Sequence, residues 1–253
     1  MEAARSEAPG FSDQVLKFLE RVEHRVATDP ADRRAAFRLR CDAYRKAGFL
    51  ESSDIDEIYD PLYDDDPLGW TTMTFVDGEL AGTVRINVGF DERAVLPGLQ
   101  VYRDVLAPRL RARQVLVEFT RLAANFTLSS VYPHLAYIIM RPGFMAAAHF
   151  DADFAVASPR ADHVAFYRRV FGAVTWCAPR DYPGLTAKFA CMGAEYRSAR
   201  TRVEARYPFY KSTPAEREAL FGPFERELNR HFRVASLLGP RDNVLGAELL
   251  SHA

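Results

Sequence analysis

A carboxylate and a guanidinium interrupt the apolar stretch QVLVEFTRLAAN, residues 114–125, where Glu118 and Arg121 stand among Val115, Leu116, Val117 and Phe119. A charge drawn out of water into such a strand loses several kcal/mol of solvation unless something pairs with it. The types suggest proton chemistry: a carboxylate can act as a general base, and a guanidinium fork grips carboxylates. Spacing sets a condition. On a regular strand positions 118 and 121 point to opposite faces, so the pair acts together only if a β-bulge or the strand end falls between them. The alternative is a structural ion pair between layers, and a regular strand through Leu122 would separate the two side chains.

Other groups must be carried to that strand. TDPADRR offers Asp29 as a cap and Pro30 at the first helical position, predicting a helix to about Lys46, ahead of Gly48. On it Arg33, Phe37, Arg40, Cys41 and Tyr44 share a face, so Arg40 is expected to point inward. TMTFVDGELAGTVRINV reads as a β-hairpin turning at Asp77-Gly78. Leu80, Gly82, Val84, Ile86 and Val88 alternate with Thr83, Arg85 and Asn87, which places Arg85 mid-strand on a polar face. Between helix and hairpin, ESSDIDEIYDPLYDDDP is acidic with no basic residue. It reads as a loop whose acids, Asp60 and Asp64 included, are solvated, while Ile55, Ile58, Tyr59, Leu62 and Tyr63 pack down.

Before these elements, Val15, Leu16, Leu19 and Val22 have helical spacing and residues 23–28 suit a short strand. After the hairpin comes a Pro/Gly-containing connection, VLPGLQVY, then the charged strand and an apolar helix around His134 to Ala148. DADFAVAS is a short strand leading to a helix with Ser158 as cap, Pro159 at its first position and Gly172 as its end. VTWCAP and LTAKFACM pair across residues 180–184. Thr213, Pro214 and Glu216 form a capping box at a late helix. A single domain over residues 1–253 is expected, with a core of about 22–193 and a helical extension from 195.

The 253 residues are 48% apolar and 26% charged with a net charge of −1, an ordinary globular composition without a global reason to bind nucleic acid. Cys41, Cys177 and Cys191, odd in number and set among apolar neighbours, suit reduced thiols in a cytoplasm. No apolar run approaches the length of a spanning helix, and MEAARSEAPG lacks the order of a signal peptide, so a cytoplasmic protein is expected. The histidines have no metal-ligand spacing, and no metal is expected.

Taken together, LRCDAY in the first long helix, the acidic loop, GTVRI and VEFTRLA resemble the acyl-homoserine lactone synthases and the long-chain N-acyl amino acid synthases of the FeeM type. HVAFYRRVFGA and YPGLTAKFACM look like the FeeM branch. The resemblance implies a GNAT-like α/β fold, three layers αβα around a central mixed, mostly antiparallel sheet whose fourth and fifth strands splay to admit a pantetheine arm. It implies an N-acyltransferase moving a fatty acyl chain onto the α-amine of an amino acid, with Glu118 as base. Arg121, Arg40, Arg85, Tyr44, Asp60 and Asp64 would then contact or organise the acceptor, and Tyr167 would protonate the leaving thiolate. An ordinary CoA-dependent member has a glycine loop after the fourth strand; RLAANFTLSS has none, which favours the acyl-phosphopantetheine of acyl carrier protein as co-substrate. Arg197, Arg200, Arg202, Arg206 and Lys211 are candidates to dock that acidic partner. A lactone synthase or a non-catalytic acyl-binding module are the alternatives.

Overall fold

A computed structural model describes residues 10–50 and 54–222. Its sheet is built where apolar alternation demands it, and the expected order of elements is largely met. Helix α1 (Phe11–Leu19) leads to β1 (Val22–Val26), and α2 (Pro30–Lys46) follows, capped by Asp29 accepting from the amides of Ala31 and Asp32. The acidic segment contains one short helix, α3 (Pro61–Asp64), and of its apolar residues only Ile58 and Tyr63 pack down, while Ile55, Tyr59 and Leu62 stay exposed because one short turn presents a single face to α2. Strands β2 (Gly69–Val76) and β3 (Glu79–Gly89) form the hairpin, and its turn takes positive φ at Asp77 and Gly78, as a type I′ turn requires.

The stretch taken as a plain connection holds a helix, α4 (Leu99–Arg111). Pro97, Gly98 and Pro108 hide it in the sequence, yet Tyr102, Leu106 and Leu110 recur at helical spacing and are all buried. Strand β4 (Leu116–Ala124) carries the charged pair. The apolar helix around His134 to Ala148 is broken: α5 (Phe126–Val131) and α6 (Leu135–Ile139) precede α7 (Arg141–His149), with Pro142 opening the last. Strand β5 (Phe154–Ala157), α8 (Val164–Phe171), β6 (Val174–Asp181), β7 (Lys188–Glu195) and α9 (Tyr196–Arg206) complete the core. Ser158 is not the cap foreseen, because residues 159–160 stay extended beside β7 and a 3-10 turn at Ala161–His163 starts the helix. Thr213 and Glu216 do form the capping box, with Thr213 N to Glu216 Oε2 at 2.7 Å and Glu216 N to Thr213 Oγ1 at 3.2 Å.

The strands run in the order β1-β2-β3-β4-β5-β7-β6 in one seven-stranded sheet. Every neighbouring pair is antiparallel except β4 and β5, which are parallel. The sheet is therefore mixed and mostly antiparallel, as expected. Strands β4 and β5 pair only over Leu116–Phe119 and Phe154–Ala157, while β4 stays with β3 out to Ala124. Beyond Phe119 the two strands part and leave a wedge at their C-terminal ends. A bulge at Ala81 moves Leu80 off the face of Val84 and Ile86, to pack with Ala36 and Met73 below α2, contrary to simple alternation.

Candidate active site

The buried face of α2 meets the polar face of β3 at one carboxylate. Asp64 Oδ1 accepts from Arg40 Nη1 at 2.8 Å, and its Oδ2 accepts from Arg85 Nη1 at 3.3 Å and from the Asp60 amide at 2.9 Å. The side chains of Arg40 and Asp64 are fully buried and that of Arg85 nearly so. Asp64 is thus no solvated acid: burial raises its pKa, but the two guanidiniums more than offset this and hold it below the usual carboxylate range. The reason is geometric, since Pro61 opens a helical turn that swings Asp64 under α2. Asp60 caps no amide through its side chain and stays part-exposed. Arg40 also donates to Thr71 Oγ1 at 2.8 Å, and Arg85 Nε to Thr120 Oγ1 at 3.1 Å. The lattice of bonds thus runs from α2 across β2 and β3 to β4.

On β4 the parity condition is met. Arg85 faces Thr120 and Thr83 faces Ala123, so Arg121 and Leu122 together oppose the single residue Val84, and Arg121 has φ +52°. This is a bulge with its first residue left-handed, a position that normally takes glycine and that costs an Arg backbone strain. The bulge turns Arg121 toward α2, where its guanidinium lies 5.8 Å from the centre of the Tyr44 ring. Glu118, Thr120 and Arg121 therefore serve the same face, and a bulge leaves its extra residue out of the ladder. Among the described residues Arg121 has no acidic partner, whereas Arg40 and Arg85 share Asp64.

Glu118 is fully buried. Its Oε2 accepts from the Gly98 amide at 3.0 Å, while Oε1 has no partner. Burial pushes its pKa from 4.5 up to about 7, against the Gly98 bond and the nearby Arg85. Gly98 is required by contact: a Cβ there would stand 2.7 Å from Glu118 Oε1. The overlooked helix α4 thus delivers the amide that fixes the carboxylate.

Beside Thr120 a polar pocket is walled by Tyr44, Arg85, Arg121, Ser158, Tyr182, Leu185 and Phe189. Ser158 and Tyr182 carry no site signal in the sequence: Ser158 reads as a cap, and Tyr182 stands in the hairpin between β6 and β7. A different cavity lies on the opposite face of β4. Phe119, Met140, Phe144, Ala157, Phe171 and Met192 line it, with Tyr167 among them. Burial raises the Tyr167 pKa, so its hydroxyl stays protonated, and it is near enough to Tyr44 for the two phenols to interact. The open volume there is about 20 Å³. That accommodates roughly one water, so any chain must displace flexible Met and Phe side chains.

The basic cluster of α9 lies elsewhere. Glu195, where α9 begins, pairs with Phe154 at the start of β5, the end away from the wedge. Arg197 pairs with Asp151 and Arg200 with Glu204, while Arg202 donates to the Phe171 carbonyl. Lys46 is exposed and lies over the Phe126 ring just past the end of β4, while Arg168 and Arg169 are exposed on α8. All cysteines are free thiols. Among the described residues there is no group of three potential metal ligands and no helix long and apolar enough to cross a membrane.

The sequence model of the family described as N-acyl amino acid synthase FeeM matches residues 35–195. No curated protein sequence matches the chain. Among solved structures, FeeM, an N-acyl amino acid synthase from uncultured soil microbes, is 21% identical with a TM-score of 0.62, covering 75% of this chain and 98% of its own. The acyl-homoserine lactone synthase LasI is 16% identical at a TM-score of 0.51, covering 70% and 92%. BjaI, a CoA-dependent acyl-homoserine lactone synthase, is 14% identical at 0.53, covering 74% and 89%. At these identities the structures share the GNAT-like fold.

Proposed function

The chain belongs to the FeeM family of N-acyl amino acid synthases and is an acyl-transferring enzyme, and on that premise we propose that it moves a long fatty acyl group from acyl carrier protein to the α-amine of an amino acid. The observation that carries the reading is the pair of unlike spaces on the two faces of β4. The apolar cavity around Phe119 suits the chain, and the polar pocket beside Thr120 suits the acceptor.

Glu118 acts as the general base. An amine is mostly protonated near neutral pH, and a carboxylate with a pKa of about 7 and one free oxygen is matched to taking that proton. Glu118 is not in the pocket wall but one strand repeat from Thr120, about 7 Å away, so a bridging water carries the proton. The deprotonated amine attacks the thioester carbonyl, and N–H groups freed at the Arg121 bulge stabilise the oxyanion, a contribution of about 3 kcal/mol per donor. As the tetrahedral intermediate collapses the C–S bond breaks, and Tyr167, a protonated phenol at the wedge, gives its proton to the thiolate. The arginines divide their work: Arg40 and Arg85 hold Asp64 and the strands, which leaves Arg121 for the acceptor carboxylate.

Two features favour carrier protein over CoA. The N-terminus of α5, where a glycine loop would cradle pyrophosphate, has one of its free amides taken by the chain itself, Asn125 Oδ1 accepting from Leu128 N at 3.3 Å. In addition, exposed Lys46 beside the end of β4 gives the mouth of the wedge a basic residue complementary to an acidic partner. The test is to supply lauroyl or palmitoyl groups on carrier protein or on CoA, with a panel of amino acids, and follow products by mass spectrometry. N-acyl amino acid from the carrier-bound donor is expected. Turnover only with acyl-CoA, or acyl lactone as sole product from an S-adenosylmethionine-containing mixture, would overturn the reading.

A further inference from the structure

Two residues in the wall of the polar pocket carry hydroxyls without a partner. Ser158 Oγ and Tyr182 OH are both buried and form no hydrogen bond, and the two residues line the same space as Arg121, the guanidinium without an acidic partner among the described residues. Leaving one buried hydroxyl unsatisfied is costly, and two on residues lining one small space mark a place where a ligand completes the bonding.

The neighbouring backbone is arranged to keep them there. Ser158 is released from capping because residues 159–160 continue beside β7, with Ala190 N bonded to the Pro159 carbonyl at 2.9 Å. Tyr182 stands just after β6, packed edge-on against Phe189 at 5.7 Å. The hairpin that carries it is pinned to the end of α2 by the Leu50–Leu185 bridge and by Thr186, which donates from N to the Phe49 carbonyl and from Oγ1 to the Gly48 carbonyl at 2.9 Å. Arg121 is held toward the same space by the strained bulge.

The chemistry of the set defines its ligand. A guanidinium offers donors only, and a phenol whose pKa is raised by burial remains a donor; the serine hydroxyl can donate as well. Three side chains that can all donate select an acceptor-only group, and the open space of about 50 Å³ holds roughly three waters, the heavy-atom count of one carboxylate. We infer that Arg121, Tyr182 and Ser158 form a clamp for the free α-carboxylate of the acceptor, so that the enzyme selects unblocked amino acids over amides, esters and simple amines. This rests on the amino-acid acceptor proposed above and adds to it the residues and the selection rule.

The experiment compares the best amino acid from the panel with its own primary carboxamide, in the wild type, Tyr182→Phe and Ser158→Ala. The wild type is expected to prefer the acid, and each variant to lower kcat/KM for the acid about tenfold while keeping the wild-type value for the amide and for the acyl donor. Thermal midpoints are measured alongside. Acid and amide falling together in a variant, or neither falling, overturns the clamp while leaving the acceptor class standing. A wild type that acylates acid and amide equally overturns the clamp by itself, and one that acylates no amino acid removes the proposed function and the clamp with it.

Discussion

The two faces of β4 are made from adjacent residues and are opposite in kind. On one, Glu118, Thr120 and, through the bulge, Arg121 join Arg40, Asp64 and Arg85 in a bonded polar layer under α2. On the other, Phe119 and its neighbours from α7, α8 and β7 leave an apolar cavity with no charged wall. The polar face is rigid because Arg40 and Arg85 are both fixed on Asp64; the apolar face is held by Met and Phe side chains that can repack. Proton transfer needs fixed geometry and a fatty chain needs only volume, so the contrast suits an enzyme that brings an amine and an acyl chain to opposite sides of one strand.

The largest effect should come from Glu118→Gln, which keeps shape and removes the base. A fall in kcat of about 10² to 10⁴ is expected by steady-state assay, and an unimpaired variant would move the chemistry off the polar face. Next is Asp64→Asn, which strands two buried guanidiniums; it should lower unfolding free energy by about 3–5 kcal/mol in urea titration. A change within 1 kcal/mol would mean that the polar layer is not the rigid one.

The pH dependence follows from Glu118, whose folded pKa of about 7 lies above the unfolded value of 4.5. Between these values the folded chain holds the proton and the unfolded chain has lost it. Stability should therefore fall as pH rises from about 4.5 to 7, by up to roughly 3 kcal/mol from this group, and that slope should vanish in Glu118→Gln. Activity runs the other way, with kcat/KM rising as the carboxyl ionises near pH 7. A flat acid limb would contradict the assignment of the base.

Phe119→Ala tests the apolar face. It should shift preference toward longer acyl donors, by a few-fold in kcat/KM per two methylenes, with no change in the pH limb. An unchanged chain preference would place the chain elsewhere. Smallest of all, Arg197→Ala and Arg200→Ala should alter stability by no more than about 0.5 kcal/mol and leave KM for the carrier-bound donor as in wild type, since α9 starts at the far end of β5. A large rise in that KM would restore α9 as the docking surface.

Much of this was legible in local pattern. Asp29 with Pro30 marks α2, Asp77-Gly78 marks the hairpin, and the inward turn of Arg40 follows from its place on the helical face. The parity of Glu118 and Arg121 even demanded the bulge that is found. Other features were hidden for identifiable reasons. Prolines masked α4, and with it the Gly98 amide that fixes Glu118. The acidic run looked solvated because the guanidiniums that bury Asp64 lie 24 and 21 residues away. Ser158 followed by Pro159 carried a cap signal that pairing beside β7 overrode.

The sequence by itself determined which segments become strands and helices and which face of each is apolar, because those depend on periods of two and 3.6 residues that neighbours enforce. It also determined that charges at 118 and 121 needed a purpose. Only the tertiary structure decided which arginine among the described residues has no acidic partner, that Glu118 keeps one free oxygen beside a helix N-terminus, and that two residues with unpartnered hydroxyls, from distant segments, line one pocket. Those facts belong to pairings across the sheet and between layers. Their energies depend on burial and on partners far along the chain, which no local pattern encodes.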